Sequence, residues 1–244
     1  MLKHRIIPVL MFNKQLQVVQ TTQFKRPYRN CGSLMQHIEV MESRNIDELI
    51  LLDIDATQEN RGPDFDVIKE VCNELFCPVT YGGGIKTLDH VNELIQRCGV
   101  DKVAIKAGGK TSISSTINKY GSQAVVGVVD FNVDYVPNCI VLLKPVIDNL
   151  STLQKIGLGE VLLTAIRKNG TQSGYDLFPL KYCKSLSIPI IINGGCGHPD
   201  HMVEAIKAGV SAVAASSMFL FSSHTPKSCA KALHEAGVLV RLHG

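Results

Sequence analysis

No stretch of this sequence is apolar for 18 or more residues, which excludes a membrane-spanning helix as its organising element. The opening Met1-Leu2-Lys3-His4-Arg5 leads into a strand-like run and not into a cleavable signal, so we expect a cytoplasmic protein with no membrane insertion. An excess of one charge sign is also missing. The formal charge of +3 is too slight to imply nucleic acid or a membrane surface as partner, although local basic clusters remain able to hold phosphates. The eight cysteines, at 31, 72, 77, 98, 139, 183, 196 and 229, form no CxxC pair, and several sit inside apolar runs. They read as buried thiols and not as metal ligands. His198 and His201 have the spacing of one helical turn but no evident companion ligand, so they read as a solvated helix start. No metal or cofactor is expected.

What is present is enough apolar material for a sizeable core. At 45% hydrophobic and 19% charged residues, the 244-residue chain is not a disordered one. Short β-branched runs alternate with amphipathic stretches, the pattern of βα units closing a parallel sheet. The runs predict eight strands, at 5–12, 48–54, 77–82, 102–106, 124–130, 160–166, 188–193 and 211–216. Helices are predicted between them, for instance at 33–43, 64–75, 88–98, 111–119, 199–208 and 226–236. The strand runs are continuously apolar, as strands buried on both faces should be.

An internal repeat decides the expected architecture. Cys77-Pro78-Val79-Thr80-Tyr81-Gly82-Gly83-Gly84-Ile85 aligns with Ile188-Pro189-Ile190-Ile191-Ile192-Asn193-Gly194-Gly195-Cys196, and His90 matches His201 at the same offset of 111. Gly99-Val100 matches Gly209-Val210, Glu48-Leu49 matches Glu160-Val161, and Leu10-Met11-Phe12 matches Val129-Asp130-Phe131. Four βα units occur twice, which predicts one (β/α)8 TIM barrel over 1–244, built of half-barrels at about 1–120 and 121–244.

In such a barrel the loops after the strands form the active face. Gly82, Gly83 and Gly84, echoed by Gly194 and Gly195, either make tight turns or let backbone N–H groups approach an anion. We expect a phosphate site in each half, completed by Lys106 in the first and by Ser216, Ser217 and Gly170-Thr171 in the second. The ligand would then be a phosphorylated small molecule. The strand-end carboxylates Asp53, Asp55 and Asp130, with Asp176 further on, are candidates for proton transfer. Asp130 reads either as a general acid or base or as the cap of the following turn. Its counterpart in the first half is Met11, which neither donates nor accepts a proton, so the twin positions offer no two-carboxylate mechanism.

At the other ends of the strands stand Arg5, Glu48, Lys102 and Glu160. Two readings remain open for them. They are separately solvated strand ends, or they converge as an alternating ring of charges whose burial requires pairing and which would act as a gate.

The segments Arg5-Ile6-Ile7-Pro8, Asp47-Glu48-Leu49-Ile50-Leu51-Leu52-Asp53-Ile54, Gly82-Gly83-Gly84-Ile85, Gly121-Ser122-Gln123, Gly159-Glu160-Val161-Leu162-Leu163-Thr164, Gly170-Thr171 with Gly174-Tyr175-Asp176, and Asn193-Gly194-Gly195 carry a resemblance. In this order they resemble the cyclase subunit of imidazole glycerol phosphate synthase over essentially the whole chain. The resemblance implies a class I glutaminase docked on the N-terminal face. Ammonia would then pass along the barrel axis to a site where two aspartates cyclise a bisphosphorylated substrate. It implies that Arg5, Glu48, Lys102 and Glu160 are the ammonia gate and that Asp130 is one catalytic aspartate.

Against the family pattern, Met11 takes the place of the other aspartate and Gln20 that of a lysine ordering the first active-site loop. Lys106-Ala107 replaces Asn with Ser or Thr, Arg167-Lys168-Asn169-Gly170 replaces Asp-Arg-Asp-Gly, and the segment from Asp130 through Pro145 is shorter than usual. These departures, with Gln23-Phe24-Lys25 and Asp53-Ile54-Asp55-Ala56-Thr57, resemble a branch associated with sugar amidation in bacterial surface polysaccharide synthesis. There the barrel and its glutaminase supply ammonia to a separate sugar amidotransferase that forms an acetamidino sugar. Three functions follow as expectations: an ammonia-supplying subunit of that kind, a working histidine-pathway cyclase relying on Asp130 or Asp55, and a regulator that only activates the glutaminase.

Overall fold

The computed structural model describes residues 3–107, 110–132, 139–183 and 186–242, with the side chains of 110–112 and 139–145 excepted. Most of the segment expected to be shortened, 131–145, therefore lies outside the described side chains.

Eight parallel strands close a barrel: β1 (Arg5–Phe12), β4 (Leu49–Asp53), β5 (Val79–Gly82), β6 (Lys102–Lys106), β7 (Val125–Phe131), β8 (Glu160–Ala165), β9 (Ile190–Asn193) and β10 (Ala212–Ala215). Each pairs with its neighbours in order, and β10 returns to β1 with Arg5 opposite Ala212 and Ile7 opposite Ala214. Closure leaves no free edge in the barrel itself. The sequence places all eight strands within two residues of these bounds.

Helices pack outside. They include α1 (Leu34–Ser43), α2 (Phe65–Glu74), α3 (Leu88–Asn92), α4 (Lys110–Tyr120), α5 (Cys139–Lys155), α6 (Leu180–Cys183), α7 (Pro199–Lys207), α8 (Ser217–Phe221) and α9 (Pro226–Glu235). Local chemistry fixes several starts. The Asp64 carboxylate accepts from the Val67 N–H, and Thr225 and Ser228 form a reciprocal box ahead of α9, with Pro226 in its first turn. The helix expected at 88–98 is α3 continued by a wider π turn, Glu93–Arg97, where the Cys98 N–H reaches back to the Glu93 carbonyl. Val91, Leu94 and Cys98, three and four residues apart, are all buried.

Alternation along the strands sorts side chains into two cores. Outward residues such as Ile6, Leu10, Phe12, Leu49, Leu51, Val103, Val161 and Leu163 meet the helices. Inward residues Ile7, Val9, Met11, Ile50, Ala104, Val126, Leu162, Ile191, Ala212 and Ala214 fill the lumen. The same parity puts Arg5 and Met11 on one inward row of β1, at opposite mouths.

One substantial element was not expected. β2 (Gln17–Thr22) and β3 (Lys25–Ser33) form an antiparallel hairpin between β1 and α1, on the C-terminal side of the barrel.

Candidate functional site at the two mouths of the barrel

At the N-terminal mouth, inward parity brings four charged side chains from four strands onto the axis. Arg5 Nη1 donates to Glu48 Oε2 at 2.5 Å, and its Nη2 donates to Glu160. Lys102 Nζ donates to Glu48 Oε1 at 2.9 Å and lies 3.3 Å from Glu160 Oε2. Each cation thus touches both carboxylates, and the four form a closed alternating ring. Thr80 Oγ1 adds a donor to Glu48 Oε1 at 3.0 Å.

The carboxylates are the more deeply buried members, with side-chain exposures of 3% for Glu48 and 11% for Glu160. Burial opposes the charge on Arg5, but the hydrogen bonds and charges of Glu160 and Glu48 outweigh it and hold its pKa above the ordinary arginine value. A buried carboxylate is tolerated only with such partners. Of the two readings of these residues, the converging one describes the geometry. Above the ring the lumen is apolar, an environment that accepts a small neutral molecule far more readily than an ion.

At the C-terminal mouth lies a cavity of about 650 Å³ lined by Asp130, Lys106, Gly82, Gly83, Gly84, Lys86, Thr164 and Asn193, with apolar walls from Leu52, Ile54, Val128 and Leu162. Asp130, near the end of β7, is bound by Lys106 Nζ at 2.9 Å from its Oδ2. The carboxylate is part-exposed and the lysine largely so. Asp130 is thus paired with the residue expected at the first phosphate cradle. Met11 holds the matching place on β1, opposite Leu52 as Asp130 is opposite Thr164, but it is 1% exposed within the lumen cluster and is not among the residues lining this cavity.

The other strand-end carboxylates already have partners, including Asp53, which also lines this cavity. Asp53 accepts both Arg61 Nη atoms, at 2.7 and 2.8 Å, as well as the N–H groups of Asp55 and Ala56. Asp55 accepts from Arg26 Nη2 at 2.8 Å, and Asp176 accepts from the Phe178 N–H. Each stabilises a loop.

The glycine pairs have equivalent surroundings. Gly83 (φ +126°) presses on the end of β4, where a Cβ would lie 2.5 Å from the Asp53 carbonyl oxygen; Gly194 (φ +95°) presses on the end of β8, 2.7 Å from that of Ala165. The two cradles nevertheless differ. Gly82, Gly83, Gly84 and Lys106 open into the large cavity. Gly170, Gly194, Gly195, Ser216 and Ser217 surround a space of only about 10 Å³, room for about one water molecule, while Gly170 and Ser217 also face a cleft of about 390 Å³ on the outer side of the hairpin.

The hairpin is the cause. The Thr21 carbonyl sits against Gly170, where a Cβ would be 2.1 Å away, and Thr21 Oγ1 bonds Asn169 at 2.8 Å. Ser216 Oγ donates to Gln20 Oε1 at 3.4 Å. Gln20 thus stands at the second cradle. Phe24 and Tyr28, which sequence reasoning passed over as site residues, extend from the hairpin into the large cavity. The run Gln23-Phe24-Lys25 drew notice only as part of a resemblance; nothing in its local pattern marks a cavity wall.

Elsewhere, His198 caps α7 by accepting from the Asp200 N–H, and His201 Nδ1 accepts from the Gly197 N–H. Among the described residues no group of three His, Cys, Asp or Glu side chains is placed to hold a metal, and no helix is long and apolar enough to cross a membrane.

Comparison with known proteins agrees with this geometry. The profile of the family described as Histidine biosynthesis protein matches residues 5–225. A Campylobacter jejuni protein provisionally described as imidazole glycerol phosphate synthase subunit hisF2 is 38% identical over 99% of this chain and 100% of its own length. A Pseudomonas aeruginosa protein with the same provisional description is 34% identical over 91% of this chain and 92% of its own length. The imidazole glycerol phosphate synthase subunit HisF of Dictyoglomus thermophilum is 36% identical over 99% and 100%. With a closed eightfold barrel and end-to-end similarity to these subunits, the chain belongs to the histidine biosynthesis protein family as a HisF-like, cyclase-type barrel.

Proposed function

We propose that this chain is the ammonia-conducting subunit of a glutamine amidotransferase complex. A class I glutaminase docks on its N-terminal face, ammonia crosses the charged ring, and the neutral molecule follows the apolar lumen to the opposite mouth. There it passes to a separate sugar amidotransferase that forms an acetamidino sugar for surface polysaccharide.

The observation that carries the reading is a contrast within β1. Arg5 keeps its place in a fully paired ring with Glu48, Lys102 and Glu160, while Met11 on the same inward row is an apolar wall where a second acid or base would be needed. Loss of one proton-transfer group ordinarily removes a factor of about 10² to 10⁴ in rate. The pairing of Asp130 with Lys106 and the narrowing of the inner second cradle by the hairpin point the same way.

One observation favours a second reading, a histidine-pathway cyclase: Asp130 still faces a cavity large enough for a substrate. Complementation of a histidine auxotroph lacking the cyclase separates the two, because growth that depends on Asp130 supports the cyclase. The conduit is tested in the purified complex with its glutaminase. Glu160→Gln or Lys102→Leu should change the fraction of glutamine-derived ammonia recovered at the acceptor. Unchanged delivery in both variants would reduce the barrel to an activator of the glutaminase.

A further inference from the structure

The hairpin is held across the exit mouth from both sides. Inward, Phe24 and Tyr28 pack against the lumen cluster. Arg26 Nη2 bonds Asp55 at 2.8 Å and lies 3.4 Å from Gln58 Oε1, and Gln58 Nε2 reaches the Tyr28 hydroxyl at 3.4 Å. On the other flank the Gln23 N–H donates to the Asn169 carbonyl at 2.9 Å. Outward, a cleft of about 390 Å³ is lined by Lys25, Arg26 and Arg29 with no acidic side chain among its walls, and its inner end reaches Gly170 and Ser217 of the second cradle. The Arg29 guanidinium covers Phe221, 4.3 Å from the ring centroid. Among the described residues β3 pairs only with β2, which leaves its far edge without a strand partner there.

We propose that this cationic outer face docks an acidic protein surface, that of the enzyme taking up the ammonia, and that docking lifts the hairpin by drawing Arg26 away from Asp55. The inference rests on the barrel being an ammonia conduit. A molecule leaving the lumen at this end passes Phe24 and Tyr28, and a protein receiving it meets the hairpin first. Arg26 belongs both to the latch and to the cleft, which couples the two.

Its side chain is 60% exposed, which leaves it within reach of a second partner, whereas Asp55 is 8% exposed and the pair is part-buried. Drawing Arg26 from the buried Asp55 therefore takes several carboxylates at once, held together by Lys25 and Arg29. The three cations are spread along β3, an edge strand among the described residues, beside an aromatic ring, an arrangement that suits an extended polar interface with backbone pairing better than one small anion.

The chain contains no tryptophan, so Phe24→Trp in the full chain gives a single fluorescent reporter beneath the latch. Acrylamide quenching should be slow in that variant and several-fold faster once Arg26→Ala is added. Hexaglutamate should speed it saturably, and Lys25→Ala with Arg29→Ala should weaken the response to the peptide about tenfold while leaving the unliganded reporter protected. Equal quenching with and without Arg26→Ala would overturn the latch. Opening by pyrophosphate but not by hexaglutamate would overturn the protein-docking surface in favour of a small-anion site.

If Phe24→Trp does not fold by circular dichroism, amide exchange over 17–33 in the unaltered chain serves instead. Faster exchange with hexaglutamate supports the proposal, and no change contradicts it. None of these measurements involves ammonia. A negative result here leaves the conduit standing, and failed ammonia delivery leaves the hairpin result intact.

Discussion

The two mouths of this barrel are built from the same strands and have diverged in kind. At the N-terminal mouth four charges from β1, β6, β8 and the residue before β4 satisfy one another almost completely, with both carboxylates buried. At the C-terminal mouth Lys106 and Asp130 form a part-exposed pair in an open cavity, separate from the Arg61–Asp53 and Arg26–Asp55 pairs that hold its loops and hairpin, and β1 contributes a methionine at the place matching Asp130. A ring of mutually dependent charges tolerates no single loss. An exposed pair at the rim of a cavity tolerates nearly any, so the exit is where this chain has freedom to change its chemistry.

The sharpest way to break the comparison is at the entrance. Glu48→Ala leaves Arg5 and Lys102 with one carboxylate between them and Thr80 without its acceptor. We expect a loss of about 3 kcal/mol in urea-induced unfolding, the lower part of the range for breaking a buried pair, because both cations keep some exposure. Gly83→Ala should cost about 2 kcal/mol in the same measurement, since its φ of +126° disfavours a side chain and the new Cβ would press on the Asp53 carbonyl.

Thiols between the strands and helices give a graded effect that neither mouth controls. Burial raises Cys183 and Cys196 to about 11 and Cys229 to about 12, from the ordinary thiol value of 9.0. Above the unfolded value the unfolded chain releases protons that the folded one retains, so stability is complete below it and falls as pH rises toward the folded values. Thermal midpoints should be flat below pH 9 and drop between pH 9 and 11. The smallest effect belongs to the exit. Lys106→Ala should change stability by about 1 kcal/mol or less, because the lysine is 74% exposed. A loss as large as that of Glu48→Ala would erase the distinction between the mouths.

Much of this was legible because parity does the work. Eight apolar runs separated by helical stretches imply a closed parallel sheet, and position within a run decides which residues face the axis. Arg5, Glu48, Lys102 and Glu160 could therefore be grouped from strand starts alone, although whether they met or were solvated could not. The hairpin was hidden for physical reasons. Its tip turns on Gln23 and Phe24, both at positive φ (57° and 56°) without glycine, so the usual turn signal is missing. β3 is largely exposed and carries Pro27, so it lacks the apolar alternation of a strand. Unseen with it were the roles of Gln20 and Thr21 in narrowing the inner second cradle. Asp53 and Asp55 read as candidate bases because their partners, Arg61 on a loop and Arg26 on the unexpected hairpin, lie on segments whose paths no local pattern fixes.

The most direct test combines the purified chain with its glutaminase, glutamine and the bisphosphorylated substrate of imidazole glycerol phosphate synthase, and measures imidazole glycerol phosphate alongside free ammonia. We predict glutamine hydrolysis with cyclised product forming at least about 10²-fold more slowly than in a two-aspartate cyclase. Product formation at an ordinary enzymatic rate of about 1 to 10³ per second, abolished by Asp130→Asn, would contradict the account.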